Sequence, residues 1–369
     1  MKENNGTWQR SHGKQAAFWF RAALAVSLLL GLMGPAASPA RAMGGSDMRV
    51  PVRTVIPVGR AVGIKLFSDG VMVVGFSQIP AAGGNVTPAK TCGLREGDVI
   101  THINSAEVDT IEEVQAQLAQ IGGEEMSIRC MRDGKALQVT AHAVQCSTDG
   151  MYKLGAWLRD SMAGIGTVTY IDPETGDFGA LGHGINDIDT ARLMPLSTGG
   201  VLTAHISDVK KGRRGEPGEL HGSFETDRDI GTLVANTGHG IFGTMAENAW
   251  GGAGLAGMEP VEIASPDQVK TGKAIIYSNI SGDQIQSYEV EITKLLPGAE
   301  DGRDMMLRVT DPALLAATGG IVQGMSGSPI LQEGRLVGAV THVLVGDPTQ
   351  GYGIFAQRML KTANNCQNS

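Results

Sequence analysis

The chain of 369 residues is long enough for two or three domains, and its composition argues against several classes of protein. A formal net charge of −8 argues against a broad nucleic-acid-binding surface. Charged residues make up 18% of the chain and apolar residues 42%, which is the balance of a globular protein rather than a disordered one. The 52 glycines indicate many turns. Four cysteines without a CxxC pair indicate neither a zinc knuckle nor a disulfide scaffold.

The N-terminus has the features of an export signal. Basic residues precede an apolar run over 22–33, and the sequence Ala40-Arg41-Ala42 follows as a small-x-small cleavage pattern. We therefore expect residues 1–43 to be a cleaved signal peptide or an uncleaved signal-anchor, with a linker over 44–56. Either alternative predicts a protein exported across the cytoplasmic membrane.

Residues 57–143 show the pattern of a small domain with short strands and one helix. Apolar segments over 61–66 and 71–76 predict two strands, and the sequence G-L-R-E-G-D-V-I-T-H-I-N over 93–104 follows them. Thr110 and Glu113 form a capping-box pattern, and apolar residues at helical spacing then predict a helix over 111–121.

This order of elements resembles a PDZ domain, and the run over 93–104 is its most specific part. PDZ domains bind a peptide as an added strand. The resemblance implies that Val62, Gly63 and Ile64 contact the bound peptide or its carboxylate. A structural domain without a ligand is the alternative.

Residues 150–369 are rich in glycine and in short apolar strands. This pattern predicts an all-β region large enough for two β-barrels. A short helix is predicted over 311–317. The sequence Gly-His-Gly-Ile occurs twice, at 182–185 and at 238–241.

A single serine lies among small residues in the sequence G-M-S-G-S-P, centred on Ser326. A strand, a tight turn at Glu333-Gly334 and a second strand are predicted after it. The block resembles the nucleophile segment of the trypsin/chymotrypsin superfamily, from which it departs at Met325 and Ser328. We expect Ser326 to be a nucleophile, with an oxyanion hole formed by the N–H groups of Gly324 and Ser326.

A serine nucleophile needs a base, and histidine is the usual one near neutral pH. His183 and His239 share the same sequence context. The chymotrypsin order separates base and nucleophile by roughly 140 residues. His183 lies 143 residues before Ser326 and His239 only 87, which favours His183. No HExxH motif is present, so neither a metal nor another cofactor is expected.

The whole chain resembles the stage IV sporulation protein B family of signalling serine peptidases. The order of a signal or anchor, a PDZ domain, F-G-A-L-G-H-G-I and D-P-x-L-L-x-x-T-G-G-I-V-Q-G-M-S-G-S-P carries this resemblance. It implies a catalytic triad of His183, Asp311 and Ser326. Chymotrypsin topology instead places the acid earlier in the chain, and it leaves the following alternatives open: Asp208, Asp227 and Asp229. Asp311 is also positioned to cap a short helix that begins at Pro312.

The resemblance also implies a function. Such a peptidase acts in the space between forespore and mother cell, and it is anchored to a membrane before it cleaves itself near its N-terminus. It then cleaves the regulatory subunit of an intramembrane metalloprotease, which matures pro-sigma-K. The alternative is a non-catalytic PDZ adaptor with an inactive barrel, which a substitution of Ser326 would distinguish.

Overall fold

A computed structural model of the protein describes residues 53–246 and 257–367. The predicted signal segment lies outside these residues, as does most of the linker. The described chain is mainly β, as expected. The strands as far as residue 171 are Thr54–Phe76 (β1), Ile79–Ala81 (β2), Gly84–Val86 (β3), Val99–Ile103 (β4), Ala106–Glu107 (β5), Glu125–Arg132 (β6), Lys135–His142 (β7), Val144–Gln145 (β8), Tyr152–Lys153 (β9) and Ala156–Ile171 (β10).

The remaining strands and the helices complete the described fold. These strands are Asp177–Ala180 (β11), Thr198–Lys210 (β12), Glu219–Thr237 (β13), Gly240–Met245 (β14), Val261–Glu262 (β15), Gly272–Ser278 (β16), Gln286–Leu295 (β17), Met305–Val309 (β18), Pro329–Gln332 (β19), Arg335–Val343 (β20) and Gln350–Phe355 (β21). The helices are Pro88–Thr91 (α1), Ile111–Ile121 (α2), Pro312–Thr318 (α3) and Ala356–Gln367 (α4), with a 3₁₀ turn at Pro266–Gln268.

The PDZ unit is built around α2 and a small sheet. Strands β4, β6 and β7 continue from the C-terminal end of β1. The predicted capping box of α2 is present, since Thr110 Oγ1 accepts from Glu113 N at 3.2 Å and Glu113 Oε2 accepts from Thr110 N at 3.0 Å. The aspartate of the sequence over 93–104 has a structural role in this unit. Asp98 is buried and pairs with Arg132 at 2.7 Å.

A first β-barrel is formed by strands from both sides of the PDZ unit. In the order β10-β11-β14-β13-β12-β1, each strand pairs with the next, and pairing of β1 with β10 closes the ring. The N-terminal half of β1 thus belongs to this barrel, whereas Val71 and Met72 pair with β4 of the PDZ unit, and β1 continues to pair with β10 as far as Phe76. The linker predicted over 44–56 already enters β1 at Thr54.

This arrangement corrects one prediction. Val62, Gly63 and Ile64 are paired on one side with β10 and on the other with β12. Val62 and Ile64 are 2% and 4% exposed and lie in the core of the first barrel. Because both edges of this segment are occupied, no peptide can be added beside it as a strand, and the proposed peptide contacts at these residues are wrong.

The second barrel is closed by the strand order β16-β17-β18-β21-β20-β19. The predicted hairpin at Glu333-Gly334 is present between β19 and β20, and both turn residues have positive φ. Helix α3 lies between β18 and the segment that carries Ser326. Two barrels with a PDZ unit are therefore the architecture that the sequence predicts, although the PDZ unit begins inside a strand of the first barrel.

Candidate active site

Ser326 lies in a loop between α3 and β19 that packs against the first barrel. Gly324 and Gly327 have φ of +95° and +99°, a left-handed backbone that favours glycine. A Cβ atom on Gly327 would lie 2.0 Å from the carbonyl oxygen of Thr167 in β10. The Ser326 hydroxyl donates to the Thr341 carbonyl at 2.7 Å. The glycines of the motif thus allow the serine loop to lie directly against β10.

The backbone N–H groups of this loop alternate between bonded and free. Met325 N donates to Val322 O at 3.1 Å, and Gly327 N donates to Val340 O at 2.7 Å. In the part of the chain that the structure describes, the N–H groups of Gly324 and Ser326 have no such acceptor. These are the two predicted oxyanion donors. The side chain of Met325 is fully buried in the core of the second barrel, so it is a packing residue.

His183 follows β11 through a sharp turn in which Leu181 and Gly182 have φ of +66° and +70°. Its Nδ1 lies 2.9 Å from the Gly184 carbonyl. A carbonyl only accepts hydrogen bonds, so Nδ1 carries the proton and Nε2 keeps its lone pair in the neutral ring. Burial lowers the pKa of His183, partly opposed by the bond to Gly184. The ring is therefore held in the neutral form and tautomer that a general base needs.

The rings of His183 and His342 are in contact, with centroids 5.0 Å apart. His342 follows Thr341 in β20, whose carbonyl accepts the Ser326 hydroxyl. His183 and Ser326 are thus brought to the same short segment of β20. No hydrogen bond joins their side chains among the described residues.

The other Gly-His-Gly-Ile histidine has different surroundings. His239 lies at the turn between β13 and β14, where Nδ1 is 3.3 Å from Thr362 Oγ1 and Nε2 is 3.4 Å from the Glu300 carbonyl. The structure gives it no hydrogen bond to the serine loop within 53–246 and 257–367. Its contacts are with α4 and the loop before β18.

Asp311 is the N-cap of α3. Its Oδ1 accepts from Ala313 N and Leu314 N, both at 2.9 Å, and its Oδ2 accepts from Glu289 N at 3.3 Å. Within the described chain, no hydrogen bond or ion pair joins Asp311 to His183. The structure thus displays the capping alternative, and the triad role stays a prediction of the resemblance.

The earlier aspartates do not reach His183 either. Asp208, Asp227 and Asp229 are exposed on β12 and β13. Asp229 pairs with Lys65 at 2.7 Å. For the residues that the structure describes, the hydrogen-bond partner of His183 is a backbone carbonyl rather than a carboxylate.

His342 is the residue that the sequence did not single out. Its Nδ1 is buried and has no hydrogen-bond partner among the described residues. Burial, followed by the proximity of His183 and Arg303, lowers its pKa to about 4. Its importance depends on the pairing of β20 with its neighbours, for which no local sequence signal exists.

A groove of about 750 Å³ lies between α2 and the segment that leads into β10. Helix α2 contributes Ile111, Val114, Gln115, Leu118 and Ala119, and the opposite wall includes residues 152–158. A PDZ peptide site beside α2 would lie here rather than at Val62–Ile64. The structure contains no cluster of potential metal ligands among its described residues, and no described helix is long and apolar enough to span a membrane.

Comparison with known families gives two matches in the chain. The sequence model of the family described as SpoIVB peptidase S55 matches residues 150–360. A PDZ-domain model matches residues 86–132. The first match covers more than half of the chain, including both barrels from β10 onward.

Comparison with individual proteins gives shorter or more distant likenesses. The zinc metalloprotease RasP of Shouchella clausii (strain KSM-K16) is 45% identical over 58 residues, which are 16% of this chain and 14% of the relative. The HtrA-type protease AlgW with a decapeptide is 14% identical, covering 57% of this chain and 54% of that one, with a TM-score of 0.33. The active form of the Rv3671c protease from M. tuberculosis is also 14% identical, covering 55% and 73%, with a TM-score of 0.30.

Proposed function

Because the chain belongs to the SpoIVB peptidase S55 family and is a serine peptidase, we propose that Ser326 is its nucleophile and His183 its general base. One observation supports this assignment above the others. Ser326 Oγ donates to the Thr341 carbonyl, and the His183 ring contacts the ring of the adjacent His342, so the two side chains contact neighbouring residues of β20.

In the proposed reaction, Ser326 Oγ turns from the Thr341 carbonyl toward Nε2 of His183, which accepts its proton during attack on the scissile carbonyl. The protonated His183 then gives that proton to the leaving amine. The N–H groups of Gly324 and Ser326 stabilise the oxyanion. Loss of one such donor typically costs about 2.7–4 kcal/mol of transition-state stabilisation. A water molecule then attacks the acyl-enzyme. His183 takes a proton from this water and returns it to Ser326 Oγ as the acyl group leaves.

The Gly184 carbonyl takes over one duty of a triad acid, since it fixes the tautomer of His183. It carries no full negative charge, so it stabilises the imidazolium less than a carboxylate does. Asp311 would supply that charge only if it left the N-terminus of α3. The family resemblance supports this role, and the capping contacts oppose it.

We further propose the biological role that the resemblance implies. The protein is exported, associates with a membrane before processing, and acts between forespore and mother cell. It cleaves itself and the regulatory subunit of an intramembrane metalloprotease that matures pro-sigma-K. The PDZ match supports binding of a peptide, for which the groove beside α2 is the candidate site.

Self-cleavage tests this function. The purified full chain and its Ser326→Ala form are incubated, and their N-termini are followed by mass spectrometry. Ser328→Ala is the matched control, because Ser328 is buried and its hydroxyl bonds to Ser278 at 3.1 Å, away from the Ser326 oxygen. We expect processing in the native and Ser328→Ala proteins only. Processing of Ser326→Ala at the native rate would contradict the assignment of Ser326 as the nucleophile, and an absence of processing in the native protein would favour the adaptor alternative.

A further inference from the structure

Thr167 connects the two halves of the proposed active site. It lies in β10 of the first barrel and is 1% exposed. Its hydroxyl donates to the Gly324 carbonyl at 2.7 Å, and its N–H donates to the Ser326 carbonyl at 3.0 Å. Its own carbonyl accepts from Leu181 N at 3.2 Å, two residues before His183. One residue of the first barrel therefore holds both the nucleophile loop and the turn that carries the base.

These contacts help to hold the peptide groups of the loop in one orientation, together with the bond that the Met325 carbonyl accepts from Ser328 N at 3.0 Å. The peptide that carries the Ser326 N–H lies between two peptides whose carbonyls both bond to Thr167. Because a peptide group is planar, fixing its two neighbours limits its rotation. The peptide that carries the Gly324 N–H is fixed independently, since the Gln323 carbonyl accepts from Leu220 N at 2.9 Å.

Among the described residues, Thr167 is the only one whose side chain donates a hydrogen bond to the backbone of residues 323–327. We propose that Thr167 is a positioning residue, which keeps the N–H groups of Gly324 and Ser326 directed toward the oxyanion. This inference deepens the proposed function and rests on it. A loop without this bond would keep its serine but would present a less ordered oxyanion hole.

The neighbouring Thr169 provides a matched control on the same strand. It is fully buried, and its hydroxyl has no hydrogen-bond partner among the described residues. Thr→Val replaces a hydroxyl by a methyl group of similar size. Thr167→Val removes a hydrogen bond and leaves the Gly324 carbonyl unpaired, whereas Thr169→Val removes a hydroxyl that makes no bond.

The test measures the rate at which a biotinylated fluorophosphonate labels the full chain. Ser326 Oγ forms a bond to phosphorus, fluoride leaves, and the proton passes to His183, while the phosphoryl oxygen occupies the oxyanion hole. Removal of a direct oxyanion donor costs roughly 10²–10³ in rate, so loss of a positioning bond should cost about tenfold or more. Casein hydrolysis is followed alongside, where we expect kcat to fall and KM to stay within about twofold.

We expect slow labelling in Thr167→Val, near-native labelling in Thr167→Ser, which keeps the hydroxyl, and native labelling in Thr169→Val. Thermal melting accompanies each variant. If Thr167→Val fails to fold, Thr167→Ala compared with Thr167→Ser gives the same contrast. Native labelling in a folded Thr167→Val or Thr167→Ala protein overturns the proposal, as does equal loss in Thr169→Val. Failure of the proposed function has a different signature, because the native protein would then not be labelled at Ser326.

Discussion

Replacing Asp311 separates its two possible roles. Asp311→Ala removes the two contacts at the start of α3 and the contact with Glu289 N in β17. Asp311→Asn keeps a carbonyl oxygen for Ala313 N and Leu314 N and loses only the longer contact with Glu289 N. Asparagine is as good an N-cap as aspartate, and loss of an N-cap costs about 0.5–2 kcal/mol. The capping role therefore predicts a loss of stability in the alanine variant and little loss in the asparagine variant.

The expected size follows from the length of the folded unit. A change of 1 kcal/mol shifts the melting temperature of a domain of 150–250 residues by roughly 2–4 °C, so Asp311→Ala should melt about 1–8 °C lower. The melts are followed by circular dichroism with Ser326→Ala present in every protein, which prevents self-cleavage during heating. Asp311→Asn should melt within about a degree of its parent. An asparagine variant that melts as low as the alanine variant would refute the capping reasoning.

The same asparagine change, made with Ser326 intact, tests the role that the family resemblance implies. Fluorophosphonate labelling reports the reactivity of the serine independently of any substrate preference. A large fall in labelling at an unchanged melting temperature would assign the Asp311 charge to the chemistry. Unchanged labelling would leave Gly184 as the partner that orients the base.

Two further predictions concern His342 and the groove beside α2. The pKa of His342 is about 4 in the folded protein, whereas in the unfolded chain it has the ordinary value of 6.5. The neutral His342 ring therefore contributes fully to stability above pH 6.5, and this contribution is lost as the pH falls toward 4. His342→Phe should therefore lose less melting temperature than the native protein between pH 7.5 and pH 5, and an equal loss would contradict this reasoning. Ala119→Arg, which places a long charged side chain in the groove, should weaken binding of a peptide from the protein's own N-terminal region without slowing the labelling of Ser326. Glu112→Arg is its control, because Glu112 is exposed on α2 and does not line the groove; equal binding by the two variants would place the peptide elsewhere.

Local patterns predicted most of the elements near the site. The capping box of α2, the turn at Glu333-Gly334 and the start of α3 at Pro312 depend on neighbouring residues, and the structure contains all three. The loop around Ser326 was predicted for the same reason. Small residues and a following hairpin are short-range features, which the sequence displays directly.

Long-range pairing explains what the sequence did not reveal. Residues 61–66 and 71–76 have the pattern of two successive PDZ strands, but they form one strand that leaves the first barrel and enters the PDZ unit. An apolar strand pattern does not specify which sheet receives the strand, so Val62–Ile64 was assigned to the wrong one. The contacts of His342 and Thr167 also depend on which strands meet between the barrels.

Labelling with the fluorophosphonate, followed by peptide mass mapping, tests most directly whether Ser326 is a nucleophile activated by His183. We predict one modified site in the native protein, on the peptide that contains Ser326. We also predict no modification of Ser326→Ala and a loss of about 10²-fold or more in labelling rate for His183→Ala, as expected when a general base is removed. Label on another residue, or labelling of His183→Ala at the native rate, would contradict the account.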